Sequence, residues 1–200
     1  MLDLPTDLPA ELAPLSWLIG VWEGTGVIDY ETENHHFAGE FTHRVSFSHD
    51  GGSFLNYSAS AWLHGDDDAH TSLVSEVGYW RLALPAEDSD AGPALLSPLG
   101  SPLVRTVDDI EKLRNDAGAF DIEVSLVHSN GVSELYLGQI AGPRVDIATD
   151  AIVRPEGAKP YGAATRMYGL VDGHLLWAWD IAALGKELSS HASARLARLE

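Results

Sequence analysis

The chain has 200 residues, 45% of them apolar, enough to bury one sizeable core, and a single domain spanning 1–200 is expected. Twelve Lys and Arg against thirty Asp and Glu give a formal charge of −18, which repels nucleic acid and anionic membrane surfaces and leaves neither as an expected partner. There is no cysteine, which excludes disulfides and thiolate metal sites, so any metal must be held by nitrogen or oxygen.

The N-terminus carries Asp3 and Asp7 where an export signal needs positive charge, and no apolar run reaches the length of a membrane span, so a cytoplasmic protein is expected. From Pro5 to Leu15, with Asp7 as cap and Leu8, Leu12 and Leu15 at roughly helical spacing, the pattern predicts a short helix. The period then changes to two. Phe41, His43, Val45, Phe47 and His49 share one face of a strand, and Phe120, Ile122, Val124, Leu126 and His128 repeat the alternation. Further strands are predicted at 19–30, 53–63, 71–82, 132–140, 144–153, 164–171 and 174–183. The segment after 183 is ambiguous: its Ala, Arg and Leu favour helix, while a closing strand would suit a barrel.

Short turns such as Asn130-Gly131 and Asp172-Gly173 make consecutive strands antiparallel neighbours. A meander of about ten strands hides its edges best by closing, so an antiparallel up-and-down β-barrel is expected, with a Greek-key sandwich as the other architecture of this periodicity. Pro85, Gly92, Pro93, Pro98 and Pro102 interrupt the pattern and mark an insertion at about 83–118, with a polar helical stretch from Val107 to Asn115.

No catalytic triad, P-loop, dinucleotide fingerprint or HExxH motif occurs, which leaves histidine, present nine times, as the side chain with chemistry to offer. His35, His36, His64 and His70 read as solvated loop residues. His43, His49 and His128 lie on apolar strand faces and read as hydrogen-bonded core histidines. His191 reads, on spacing alone, as a terminal surface residue.

Gly20-Val21-Trp22-Glu23-Gly24-Thr25-Gly26 matches a GxWxGxG pattern, and the stretch Ile181 to His191 with the HxxAxLxR that follows is more specific. With Phe47 to Tyr57 and Val77 to Arg81, these segments resemble the nitrobindin family, whose barrels are similar to lipocalins and fatty-acid-binding proteins. The resemblance implies a ferric haem b with His191 as the axial iron ligand, and Thr32 and Lys159 as further haem-contacting positions, Lys159 near a propionate. It implies an apolar distal wall to which no histidine is assigned. The implied activity is isomerisation of peroxynitrite to nitrate, with nitric oxide binding at the same iron, in a monomer or homodimer. The competing readings are a carrier of a fatty acid or other small apolar ligand, with Arg44 or Arg166 as carboxylate anchor, and an interaction domain without ligand.

Overall fold

The computed structural model describes residues 8–31, 36–65, 70–73, 75–85, 87, 90, 92, 94–97, 99, 104–183 and 185–199. Eleven strands follow one another: β1 Gly20–Glu31, β2 His36–Ser48, β3 Leu55–His64, β4 His70–Ser72, β5 Glu76–Leu82, β6 Phe120–His128, β7 Ser133–Ala141, β8 Arg144–Val153, β9 Tyr161–Val171, β10 His174–Ala183 and β11 Ser189–Arg198. All pair antiparallel, in the order β2-β1-β11-β10-β9-β8-β7-β6-β5-β3, and a β2–β3 pairing closes the ring. β4 and β5 pair with successive parts of β3, so together they fill one place and the barrel has ten strands. The terminal segment resolves as a strand because β11 is the one element that can bridge β1 and β10. Its Ala194 and Leu196 are buried while Arg195 is exposed, the alternation a half-buried strand requires.

Two expectations are corrected. His36 is the first residue of β2, and His64 and His70 face each other across β3 and β4, with Thr42 Oγ1 at 2.8 Å from His64 Nε2. These rings sit on the strand ends because β2 to β4 run on past the core. His35 and Asp66–Asp68 lie outside the described residues. The N-terminal helix is a 3₁₀ helix at Ala10–Leu18, later in the chain than the leucine spacing suggests, and Asp7 lies outside the described residues. Leu12, Leu15 and Leu18 are fully buried, so this helix plugs one end of the barrel. Trp22 Nε1 donates to the Leu18 carbonyl at 2.7 Å and fixes the plug to the start of β1.

Within the insertion, the helical stretch shortens to Val107–Glu111, begun by a capping box between Thr106 and Asp109. Ile110 is buried in the core and Arg105 reaches Glu11 at 3.3 Å, so this part of the insertion packs over the plugged end. Gly24 and Gly26 carry the early motif's purpose. A Cβ on Gly24 would lie 2.2 Å from the Arg195 carbonyl oxygen, and one on Gly26 would lie 2.4 Å from that of Ser193, so only glycine lets β11 close against β1 here. Gly20 has φ +133°, where the chain leaves the plug and enters the strand. Among the described residues, no helix is long and apolar enough to cross a membrane.

Candidate functional site

The end of the barrel opposite the plug holds a cavity of about 310 Å³, at the lower edge of the range for small-molecule sites. Ile28, Phe41, Leu73, Trp177, Trp179 and Ile181 supply apolar wall, and His43, Glu76, His128 and His191 are its ionisable members toward the interior. Trp177 and Trp179 share a face of β10 because they are two residues apart, and their rings lie 6.0 Å apart.

His191 reaches this cavity through a β-bulge. Trp179 pairs with Ala192 and Asp180 with Ser190, so His191 is an extra residue on β11 with no partner on β10. Strict alternation would send residue 191 outward, since Ala192 already faces in; the bulge lets both line the cavity. The Ser190 hydroxyl donates to Asp180 Oδ1 at 3.0 Å and pins the irregularity. The imidazole lies edge-on to Trp179, with ring centroids 5.5 Å apart, and tilted against Tyr30 at 5.1 Å. Its Nδ1 is buried and has no hydrogen-bond partner among the described residues. Burial lowers its pKa, which favours the neutral ring, the form that coordinates metals.

Of the other two residues implied by resemblance, Lys159 is the one the structure describes. Lys159 is exposed in the connection between β8 and β9, where its carbonyl accepts from Arg154 Nη1 at 2.9 Å, and it does not line the cavity. Lys186, which the sequence did not single out, does line it, beside Ser189 and His191. Thr32 lies outside the described residues, directly after Glu31 of the cavity rim.

Beneath the cavity sits a buried ionic cluster that the sequence reading also missed. Arg166 is fully buried and forms a two-pronged pair with Glu76, Nη1 to Oε1 at 2.6 Å and Nη2 to Oε2 at 2.8 Å, while Nη2 lies 3.3 Å from Glu134. His128 Nε2 is 2.7 Å from Glu134, and Tyr57 donates to Glu76 at 2.6 Å. Tyr136 donates to Glu134 at 3.0 Å, and Tyr161 donates to the same carboxylate. Burial pushes the Glu76 carboxyl up, but the charge and hydrogen bonds of Arg166 outweigh it and hold the pKa at about 2.

Glu76, His128 and Glu134 present ligand atoms within 4.8 Å of one another, a spacing a metal ion would accept. Arg166 already supplies the cation to both carboxylates, so the cluster is complete without one. The same contacts disarm the carrier reading. A fatty-acid carboxylate needs an arginine with free donors, and Arg166 is taken up by its own glutamates. Arg44 points outward to Glu23 at 3.2 Å.

Of the three histidines expected on strand faces, His49 falls just past the end of β2, and His128 is hydrogen-bonded as expected. His49 Nδ1 and both ring nitrogens of His43 are buried without a partner among the described residues, which corrects the expectation for those two. In His43 the neighbours are Trp177, at a ring distance of 4.7 Å, and Phe41 at 5.9 Å, neither of which accepts a conventional hydrogen bond at its face.

The donor set and walls fit a haem. A flat apolar macrocycle suits the indole-lined cavity, and an imidazole kept toward its neutral form, with its Nδ1 unpartnered among the described residues, suits axial ligation. The comparisons with known proteins agree. The chain is 60% identical over 200 residues to a protein named peroxynitrite isomerase from Leifsonia xyli subsp. xyli, covering 100% of both chains. It is 56% identical, again over 100% of both, to one of the same name from Clavibacter michiganensis subsp. michiganensis. The crystal structure of Rv2717c from M. tuberculosis superposes with a TM-score of 0.65 at 24% identity, covering 99% of this chain and 100% of that one, and supports the fold. Residues 11–198 match the family model described as "THAP4-like, heme-binding beta-barrel domain", and the chain belongs to that family of haem-binding barrels.

Proposed function

We propose that this protein is a haem-dependent peroxynitrite isomerase in which His191 holds a ferric haem b. The observation that carries the assignment of His191 is the bulge, which turns its imidazole, with Nδ1 unpartnered among the described residues, into the apolar cavity. Bound there, the haem supplies the iron chemistry that converts peroxynitrite to nitrate. The chain's own residues do the rest. Trp179 and Tyr30 hold the His191 ring in one orientation, which fixes the direction of its lone pair. The indoles of Trp177 and Trp179 keep water from the inner face and confine a reactive small molecule.

Lys159 is proposed at a propionate, where its charge would offset repulsion of a dianionic ligand by this acidic protein, and Thr32 at the haem edge. Nitric oxide is proposed as a second ligand of the same iron. The chain is read as one domain, acting in the cytoplasm as a monomer or homodimer, and the absence of cysteine is in keeping with a reducing compartment.

The test is haemin titration of purified wild type and His191→Ala, followed by stopped-flow peroxynitrite decay. Wild type is expected to develop a shifted Soret band and to consume peroxynitrite faster than free haemin; His191→Ala is expected to lose the Soret shift. An unchanged Soret band in the variant refutes the axial assignment, and equal decay rates refute the activity.

A further inference from the structure

His43 lines the cavity from β2, two strands from β11 in the ring, and His128 lines it from β6. It lies in the middle of β2, across from Gly24 on β1 and Ala61 on β3, between the inward-facing Phe41 and Val45. Trp177 and Trp179 separate it from His191 along the wall. Only 5% of the residue is exposed, and both ring nitrogens lack a partner among the described residues.

That combination needs an explanation, because a neutral imidazole presents one donor and one acceptor and an unmade buried hydrogen bond is costly. His128, at the same depth, has Glu134. The nearby Glu76 carboxylate is committed to Arg166 and Tyr57, and the Ser60 backbone lies toward the ring without hydrogen-bond geometry. The remaining partner is whatever occupies the cavity. Burial keeps the ring uncharged, with a pKa of about 4, Glu76 raising it and Arg166 lowering it. An uncharged ring donates an N–H to an anion without delivering a proton.

We propose that His43 is a ligand-binding residue whose ring N–H hydrogen-bonds a small oxyanion held in the cavity. The proposal rests on the haem reading above. It replaces the uniformly apolar distal wall that family resemblance implies with one polar contact, aimed at a ligand of a few atoms bearing negative charge. A long apolar ligand would leave both nitrogens unpaired.

The experiment uses haem-loaded wild type, His43→Leu and His43→Gln, with azide as the anionic probe of the ferric protein and carbon monoxide as a vibrational probe of the ferrous protein. All three are expected to load haemin with the same Soret band. Azide is expected to bind roughly ten- to hundredfold more weakly to His43→Leu, the worth of a hydrogen bond to a charged group, and close to normally to His43→Gln, which keeps an N–H donor. The C–O stretch is expected to rise in His43→Leu alone. Unchanged azide affinity and an unchanged stretch in a normally loaded His43→Leu overturn the proposal, and so does loss of the Soret band in a folded His43→Leu, which would make His43 a haem ligand. If Leu prevents folding, His43→Met, closer in length, is read by the same criteria. Failure of the haem reading shows separately, as the absence of a Soret shift when wild type is titrated with haemin.

Discussion

Replacing Arg166 with methionine tests the buried cluster most directly. The side chain is fully buried, it makes both prongs of the pair with Glu76, and it approaches Glu134. Methionine fills much of the volume but leaves two carboxylates facing each other without a cation. Removing one partner of a buried ion pair costs about 3–5 kcal/mol, because the stranded charge must be neutralised or hydrated. For a chain of this length each kcal/mol moves the midpoint by about 2–4 °C, so a fall on the order of 10 °C is expected by calorimetry. The pH dependence gives a sharper signature. In wild type, Glu76 has a depressed pKa, so its pairing stabilises the fold above the ordinary carboxyl range and the contribution is lost as pH falls toward about 2. In Arg166→Met, burial is opposed only by His128 and the Tyr57 hydrogen bond, so the folded-state pKa rises and protonation relieves the penalty. The difference between variant and wild type is therefore expected to shrink from pH 8 to pH 5. Adding Glu76→Gln and Glu134→Gln is expected to recover part of the loss. A cost below about 1 kcal/mol at pH 8, or a difference that grows as pH falls, refutes this account.

The remaining predictions concern His43 and the barrel seam. His43 has a folded-state pKa of about 4 against an ordinary 6.5, so between those values the unfolded chain takes up a proton that the fold refuses. Stability then falls as pH falls through that window, and haem-free wild type is expected to lose about 2 kcal/mol more than His43→Gln between pH 7.5 and pH 5 in urea titrations; parallel losses sink the assignment of a neutral buried ring. Gly24→Ala puts a Cβ 2.2 Å from the Arg195 carbonyl oxygen and is expected to cost at least 1–3 kcal/mol by urea unfolding. Gly162→Ala, where the nearest atom is 3.7 Å away, serves as the comparison and is expected to change stability little; equal effects at the two positions would refute the close-approach argument.

The barrel was legible because alternation and turn chemistry are local. Phe120 to His128 alternates buried and exposed residues along its length, and β6 begins and ends where the pattern does. Other features depend on partners far away in sequence. Nothing near Ser189–Arg198 says that this segment pairs with β1, some 170 residues earlier, and its Ala and Arg content points to helix until the barrel needs a closing strand. The ionic cluster is harder still, since Glu76, Glu134 and Arg166 come from three strands; Arg166 was weighed only as an anchor for a ligand carboxylate, and nothing local pairs it with the two glutamates. The only local hint is that all three stand at positions whose flanking alternation points inward. His191 shows the opposite failure: counting by twos from Ala192 sends it outward, and only the bulge reverses this. A one-residue irregularity carries no composition signal, so His191 was singled out by resemblance rather than by period.

The bulge also ties the placement of His191 to closure of the barrel. β11 is held on one side by β1, from Trp22 to Ile28, and on the other by β10, and it is the last strand of the ring to exist in the chain. The β1 pairing stops at Ile28–Ala192, one residue short of His191, so the segment that aims the imidazole is held chiefly by β10. Ser190 on Asp180 and the packing of Trp179 and Tyr30 are what fix it. A ligand bound through His191 would therefore pull on the least paired part of the closing strand, and its binding energy would appear as stability of the seam, growing with the ratio of free ligand to dissociation constant. The glycines that let β11 approach β1 sit further along the same seam, at Gly24 and Gly26. A defect introduced there would weaken the strand that carries His191 without touching the cavity, so the early GxWxGxG segment and the terminal histidine, at opposite ends of the sequence, meet on one strand pair.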